Sequence, residues 1–188
     1  MGIPVANNGG VNAIPVAEFA ITLALSTIRH LPVSHSDTSA GDWMRPEVDG
    51  RDSHELFGAT VGIVGAGRIG SNVAGMLRGF ETTTLYTDKI RSEKAEGYGA
   101  TRVELDELLE RSDIVTLHTP LDNSTRALIS EREFKLMKKT AVLINTCRGP
   151  VVDEIALQHA LEDGEIWGAG LDVFEQEPVD PGNPLLTM

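Results

Sequence analysis

The chain has 188 residues, 41% of them hydrophobic, and its 28 acidic and 16 basic residues give a formal net charge of −12. This length and composition are typical of one sizeable globular domain with a real core. The negative charge argues against nucleic acid or an anionic membrane as a partner, because both would repel an acidic protein. The single cysteine, Cys147, excludes an intrachain disulfide and favours a reducing, cytoplasmic location.

The N-terminal part of the chain predicts one apolar helix. Residues 1–12 are rich in glycine and asparagine, which is typical of a loop. Apolar side chains then recur at helical spacing as far as Ile28, with Pro15 suited to the first turn, and Leu31-Pro32 is predicted to end the helix. Its apolar surface is broad, which fits burial in the core and burial in a subunit interface about equally well.

A long polar segment follows this helix. Residues 33–56 are predicted to form an irregular arm, with Trp43 and Leu56 as anchors. Irregular segments of this length are uncommon inside compact domains, so we expect the arm to wrap around something, such as a partner subunit. We therefore divide the chain into an interdomain and dimerisation helix with its arm, residues 1–58, and a second domain, residues 59–188.

From Ala59 onward, short apolar strands alternate with helices. The strands are predicted at 60–64, 83–87, 114–118, 141–145 and 167–173. The helices are predicted at 69–78, 93–97, 105–111, 130–137 and 154–162. Ser130 and Asp153 are suited to cap the last two helices, and Glu133 is placed to complete a capping box. This alternation predicts an α/β fold with a doubly wound parallel sheet, in which ligands bind at the carboxyl ends of the strands.

The first strand of this region runs into a G-x-G-x-x-G turn formed by Gly65, Gly67 and Gly70. Such glycines allow a tight turn, a close approach of backbone to a pyrophosphate, and close packing of the following helix on the strand. The next strand ends at Asp88, close to the expected spacing of roughly 20 residues for an acid that binds the ribose of NAD. A glycine-rich turn without a ligand would have to explain the glycines and the acid separately, so the pattern favours dinucleotide binding.

Polar residues also follow the later strands, and the fold would bring them to one crevice. They are His118, Thr119 and Pro120, then Asn145, Thr146, Cys147 and Arg148, and finally Asp172, Glu175 and Glu177. An arginine beside a glycine at a strand end is well placed to hold an anionic substrate, because its planar fork matches a carboxylate in two-point fashion. A nearby carboxylate could orient a catalytic base or pair with that arginine.

Taken together, these motifs resemble the NAD-binding domain of the D-isomer-specific 2-hydroxyacid dehydrogenases. The resemblance begins at residues 7–12 and runs over nearly the whole chain. Its most specific parts are INTCRGPVVDE at 144–154 and GLDVFEQEP at 170–178, downstream of the glycine turn. It implies a Rossmann-type domain, NAD as cofactor, and hydride transfer between nicotinamide and a small 2-oxo or 2-hydroxy acid.

The resemblance assigns a cofactor role to several residues besides the three glycines. Arg68 and Ile69 would contact the pyrophosphate, and Asp88 would contact the ribose. The strand ends would complete the cofactor site with Thr119, Pro120, Thr146, Cys147, Arg148 and Asp172. The charge of Asp88 would repel a 2′-phosphate, so we expect NAD rather than NADP, although Lys89 and Arg91 weaken this preference slightly.

It assigns the reaction itself to two residues. Arg148 would bind the carboxylate and keto group of a 2-oxo acid, and Glu177 would hold and tune a catalytic histidine. Asn12 lies where some members of the family contact substrate. The resemblance also implies a homodimer, and no metal site is predicted. The alternatives are a structural Arg148 that caps carbonyls and a Glu177 that is solvated surface. Cys147 is expected to pack, and His118 to hydrogen-bond locally.

Two parts of the family pattern have no counterpart here. The substrate domain lies mostly upstream of the matched region, and no histidine of this chain stands at the catalytic position. We therefore expect a fragment in which the substrate domain is absent, one that binds NAD far better than it turns over substrate. The alternative function is a non-enzymatic NAD-binding module for dimerisation or sensing, as in some corepressors. S-adenosylhomocysteine hydrolase, which has a related cofactor domain, fits the Arg148 and Glu177 motifs poorly.

Overall fold

The computed structural model describes residues 2, 4, 9–42 and 53–188, so the predicted anchor Trp43 lies outside the described residues. Within them, six strands form one sheet: β1 (Thr60–Val64), β2 (Thr83–Thr87), β3 (Thr101–Arg102), β4 (Ile114–Leu117), β5 (Val142–Asn145) and β6 (Gly168–Leu171). Their order is β3-β2-β1-β4-β5-β6, and every pair is parallel. This is the doubly wound Rossmann order, which confirms the predicted fold class.

Seven helices flank the sheet in the described part of the chain. They are α1 (Ala13–Ile28), α2 (Leu31–Ser39), α3 (Arg68–Leu77), α4 (Glu93–Gly97), α5 (Leu105–Arg111), α6 (Glu131–Leu136) and α7 (Glu154–Glu162). Three short 3-10 turns lie at Arg78–Phe80, Gly149–Val151 and Pro184–Leu186. No single helix among the described residues is long and apolar enough to cross a membrane, although α1 and α2, bent by 62° at their junction, would qualify as a pair.

The core has one part on each face of the sheet. Side chains alternate along each strand, so that in β1 Ile63 packs under α1 and α3, while Val64 packs on the side of α5, α6 and α7. Large buried side chains such as Phe134 and Leu143 fill the second part. The strands are apolar on both faces because helices cover both, as the sequence pattern predicted.

Helix α1 packs through alanines. Ala13, Ala17, Ala20 and Ala24 are buried, and these small side chains let the helix approach α3, β5 and β6 closely. On its outer side, Ile14 and Phe19 are 57% and 41% exposed. The broad apolar surface predicted for this helix is therefore divided between a buried alanine face and an exposed face of larger residues.

The segment after α1 contradicts the sequence prediction in part. Residues 31–39 form helix α2 instead of an irregular arm, and Pro32 lies in the first turn of α2, where a missing N–H costs nothing. The chain turns between the two helices at His30, which has a left-handed backbone with φ 50°. None of the residues of α2 is buried, so the apolar periodicity that would have predicted it is absent. Leu56 is buried, as predicted.

Local end signals predicted most boundaries to within one to three residues. Asp153 accepts a hydrogen bond from Ala156 N at 3.0 Å and begins α7. Ser130 and Glu133 form the predicted capping box of α6. The two-residue strand β3 was missed because it is short, polar and pairs only with β2 in the described sheet.

Candidate active site

Strands β1 and β4 are neighbours in the sheet but not in sequence. On one side of this pair the chain adds β2 and β3, and on the other side it adds β5 and β6. The carboxyl ends of β1 and β4 open a cleft of about 400 Å³. It is lined by the ends of β1, β2 and β4 and the loops that follow them, including Gly65, Gly67, Asp88, His118, Thr119 and Pro120. This is the place where doubly wound sheets bind ligands.

The three glycines of the turn face different surroundings. Gly65 has φ +95°, and a Cβ there would lie 2.8 Å from the backbone C and O of His118. A Cβ on Gly70 would lie 2.1 Å from the carbonyl oxygen of Gly65. A Cβ on Gly67 would have nothing within 4 Å, which leaves open space directly before α3. The first and last glycines are therefore required by the protein's own packing, whereas the middle one leaves room for a ligand at the helix N-terminus.

Asp88 is held across from this turn. Its Oδ2 accepts a hydrogen bond from Ala66 N at 2.8 Å, and its Oδ1 accepts one from Ile90 N at 3.2 Å. The carboxylate is thus fixed beside the glycine turn, where it can accept hydrogen bonds from ribose hydroxyls.

The two cations after Asp88 are engaged elsewhere. Lys89 Nζ donates to Ser124 Oγ at 2.6 Å and lies 3.8 Å from Asp122, across the mouth of the cleft. Arg91 pairs with Glu96 at 2.7 Å. The cations of Lys89 and Arg91 are thus paired with other residues, and the guanidinium that lies beside Asp88 is that of Arg102, whose Nη2 donates to the Asp88 carbonyl at 2.8 Å.

Three buried polar atoms lack a hydrogen-bond partner in the described part of the chain: His118 Nδ1, Thr119 Oγ1 and Thr146 Oγ1. All three follow β4 or β5 at their carboxyl ends. Buried polar groups are nearly always hydrogen-bonded, so a cluster of exceptions indicates a missing partner. Together with the space before Gly67, these atoms fit a bound dinucleotide.

His118 is one of these residues, and its other ring nitrogen is occupied. Nε2 lies 3.0 Å from Thr116 Oγ1, the local hydrogen bond that the sequence predicted. Burial lowers the pKa of His118 to about 4, because removing the ring from water penalises its charged form. The imidazole is therefore neutral near pH 7, and it offers no positive charge with which to bind an anionic group.

Arg148 stands on a turn that is organised by Asn145. The buried Asn145 side chain donates to the carbonyl of Arg148 at 3.1 Å and accepts from Cys147 N at 3.1 Å. Arg148 is exposed, and its Nη1 donates to the Cys147 carbonyl at 2.5 Å. The arginine thus caps one carbonyl, as the structural alternative proposed, while the rest of its guanidinium stays available to a ligand. The sequence places Asn145 at a strand end but predicts no role for it.

Glu177 is exposed and lies in residues 174–177, here called the Glu177 loop, which contact this turn. Its Oε1 accepts from Phe174 N at 3.2 Å. A Cβ on Gly149 would lie only 1.9 Å from the backbone C and O of Phe174, so the loop rests directly on the backbone that follows Arg148. Asp172, two residues before this loop, donates its N–H to the Asn145 carbonyl at 3.0 Å. The fold therefore brings the Arg148 and Glu177 segments together.

The loop before α1 reaches the cofactor turn. Gly10 has φ +92°, and a Cβ there would lie 2.9 Å from Cδ of Arg68. Arg68 is exposed and its side chain lies along this loop, while Asn12 is the N-cap residue of α1. Asn12 and Arg68 are thus at one end of the sheet, together with Ile69 in the first turn of α3.

No metal site is found among the described residues, where no three His, Cys, Asp or Glu side chains are grouped to hold an ion. Cys147 is buried, and burial raises the pKa of its thiol. A protonated thiol is a poor nucleophile, which agrees with the predicted packing role.

A protein-family model described as D-isomer specific 2-hydroxyacid dehydrogenase, NAD binding domain, matches residues 21–188. The chain belongs to this family. NAD is accordingly the cofactor of the domain, and the glycine turn, Asp88 and the unpartnered atoms of β4 and β5 fit it. The individual binding and catalytic roles of Arg148, Glu177 and Asn12 stay predictions.

Individual members of this dehydrogenase family are similar to the chain in sequence or in structure. Glyoxylate reductase from Korarchaeum cryptofilum is 44% identical over 191 residues, which cover 100% of this chain and 57% of that protein. A Granulicella formate dehydrogenase structure is 32% identical with a TM-score of 0.94, covering 100% of this chain and 50% of the other. D-lactate dehydrogenase from Lactobacillus jensenii, solved with NAD⁺, is 35% identical with a TM-score of 0.80, covering 96% and 54%. The chain spans about half the length of these relatives.

Proposed function

We propose that the protein containing this chain is an NAD-dependent oxidoreductase that interconverts 2-oxo acids and D-2-hydroxy acids, and that this chain is its cofactor-binding domain. The observation that carries the proposal is the contact between the Arg148 turn and the Glu177 loop at the carboxyl edge of the sheet, where the Gly65 turn also lies. The names of the relatives, among them glyoxylate reductase and D-lactate dehydrogenase, support the substrate class.

In this mechanism, bound NAD supplies the hydride acceptor or donor. Arg148 holds the substrate carboxylate and keto oxygen through the guanidinium N–H groups that Cys147 leaves open. Glu177 orients and tunes a histidine that the rest of the protein supplies, and that histidine exchanges a proton with the substrate oxygen. His118, which burial keeps neutral, lines the cofactor cleft without contributing charge.

The test is the activity of the full-length protein with NADH and a panel of 2-oxo acids, including glyoxylate, hydroxypyruvate and pyruvate. We expect NADH consumption with at least one of them, and much weaker activity with NADPH because of Asp88. The chain of 188 residues alone is expected to bind NAD with little turnover, since the loss of one acid–base group typically costs about 100- to 10,000-fold. Absence of turnover by the full-length protein on every acid of the panel would overturn the proposal.

The alternative is a non-enzymatic NAD-binding module that works through dimerisation or sensing. The exposed apolar residues at the start and outer side of α1, Val11, Ile14 and Phe19, favour an association of this kind. Saturable NAD binding by a full-length protein with no turnover, together with a dimer that NAD strengthens, would favour the module over the enzyme.

The same residues lead us to propose a homodimer, formed through α1 and the segment that follows it. Replacing Phe19 by Ser should convert a dimer into a monomer in light scattering, whereas a wild-type protein that is monomeric at micromolar concentration would contradict the proposal.

The net charge of −12 supports a small-molecule partner and no nucleic acid or membrane. With one cysteine and an acidic surface, we propose a cytoplasmic protein, which fractionation of the source cells would test.

A further inference from the structure

Glu154, the first residue of α7, makes contacts that its own helix does not need. The N-terminus of α7 is already capped by Asp153, whose Oδ1 accepts from Ala156 N. Both carboxylate oxygens of Glu154 are directed to another segment instead. Oε1 accepts from the backbone N–H of Glu175, and Oε2 accepts from Asn183 Nδ2 at 2.9 Å. A helix-dipole role alone would not require either partner.

The contact is reciprocal. Glu175 Oε1 accepts from Glu154 N at 3.3 Å, so the two residues cap each other's backbone. One of these bonds occupies a backbone donor at the start of α7, which has no partner inside the helix. The Glu154–Glu175 pair therefore holds the Glu177 loop against α7, the helix that begins a few residues after Arg148.

The Glu154–Glu175 contact lies next to the place where the backbone of Phe174 packs against Gly149. Gly149 lets the backbone of Phe174 approach within a distance that no side chain would permit. Phe174 N in turn donates to Glu177 Oε1. The position of the Glu177 carboxylate therefore depends on two backbone contacts. Gly149 packs against the backbone of Phe174, and Glu154 accepts a hydrogen bond from the N–H of the next residue, Glu175.

We infer that Glu154 is a positioning residue for Glu177, which it holds against the Arg148 turn through the backbone of Glu175. The role rests on the proposed dehydrogenase function, in which Glu177 orients a catalytic histidine. Glu154 would then act on the chemical step and on its pH dependence, and it would leave the binding of NAD at the glycine turn unchanged.

The matched control is Glu131, which is the first residue of α6 as Glu154 is of α7. Both acids lie in the first turn of a capped helix, so Glu131→Ala removes the same helix-dipole interaction without touching the Glu177 loop. Glu154→Gln keeps one acceptor oxygen for Glu175 N and is the conservative variant.

In the full-length protein, Glu154→Ala should lower kcat about tenfold, the effect of losing one or two net hydrogen bonds to a charged group. The KM for NADH should change less than twofold, and the pH at half-maximal rate should shift. Glu154→Gln should recover part of kcat, and Glu131→Ala should behave as wild type. Equal kcat and pH profiles for Glu154→Ala and Glu131→Ala would overturn the inference.

A second measurement does not depend on turnover. It distinguishes failure of the positioning role from failure of the proposed dehydrogenase function. Backbone hydrogen exchange of Phe174 and Glu175, whose N–H groups donate to Glu177 and Glu154, should be about tenfold faster in Glu154→Ala, while the amides of α7 from Leu157 onward keep their rates. If the exchange rates of the loop are unchanged, the positioning role is wrong whether or not the protein is a dehydrogenase. If the loop exchanges faster in a protein without turnover, the Glu154–Glu175 contact is present and the proposed function is at fault.

Discussion

The glycine turn before α3 and the Arg148–Glu177 region differ in how they are built, although both lie at the carboxyl edge of one sheet. At the glycine turn the backbone forms the site, with Gly65 and Gly70 packed so closely that a methyl group would collide. At the other region the candidate catalytic groups are exposed side chains, Arg148 and Glu177, on turns held by buried or half-buried neighbours. Cofactor binding thus depends on backbone packing within the domain, whereas the proposed reaction would depend on exposed side chains.

The largest expected effect separates chemistry from cofactor binding. Arg148→Gln in the full-length protein should lower kcat/KM for the 2-oxo acid at least about 100-fold, because each of the two charged hydrogen bonds of a two-point contact contributes about 1.5–3 kcal/mol. The affinity for NAD, measured by calorimetric titration, should fall far less, by about tenfold or about 1.4 kcal/mol at most, because Arg148 would be only one residue of a cofactor site that also includes the glycine turn and Asp88. A comparable loss of NAD affinity would show that the two regions are not separable.

The next effect falls on stability. Gly70→Ala places a Cβ 2.1 Å from the Gly65 carbonyl, which α3 can relieve only by moving away from β1. We expect the free energy of unfolding in urea to fall by about 2–4 kcal/mol, as in other overpacked sites. Gly79→Ala is the control, because a Cβ there meets nothing within 4 Å. Equal stabilities for the two variants would contradict the close packing of this turn.

Gly67→Ala sharpens the same comparison. Because the space around Gly67 is open, the variant should unfold at the same urea concentration as wild type. The methyl group would occupy the approach to the pyrophosphate, so NAD should bind about 10- to 100-fold more weakly, a loss of roughly 1.4–3 kcal/mol. Unchanged NAD affinity in calorimetry would place the cofactor elsewhere.

The smallest effect concerns His118. Its folded pKa of about 4 lies below the ordinary value, so the unfolded chain binds the proton more readily as the pH falls from 6.5 towards 4. Stability from this residue is fully present above pH 6.5 and is lost on acidification. Relative to His118→Gln, the wild type should lose about 1–2 kcal/mol between pH 7 and pH 5 in urea unfolding.

Local signals in the sequence were enough for most of the fold and for one of the two regions. The apolar run of β1, the glycines after it and Asp88 are close in sequence, and each acts through the backbone beside it. Capping residues such as Ser130 and Asp153 likewise act within one turn of their own position. Helix α2 escaped prediction because it buries nothing and so carries no periodic pattern.

The amino-acid sequence by itself determined the fold class, the glycine turn and the residues at the strand ends, because hydrophobic periodicity and turn chemistry are local properties. Only the tertiary structure decided which strand ends meet, how Asn145 holds the Arg148 turn, and that Gly149 and Glu154 fix the Glu177 loop. Those contacts join residues from different elements, and no short-range pattern records them. Their physical cause is the strand order, which makes β5 and β6 neighbours and so brings together the segments that follow them, one with Arg148 and the other with Glu177.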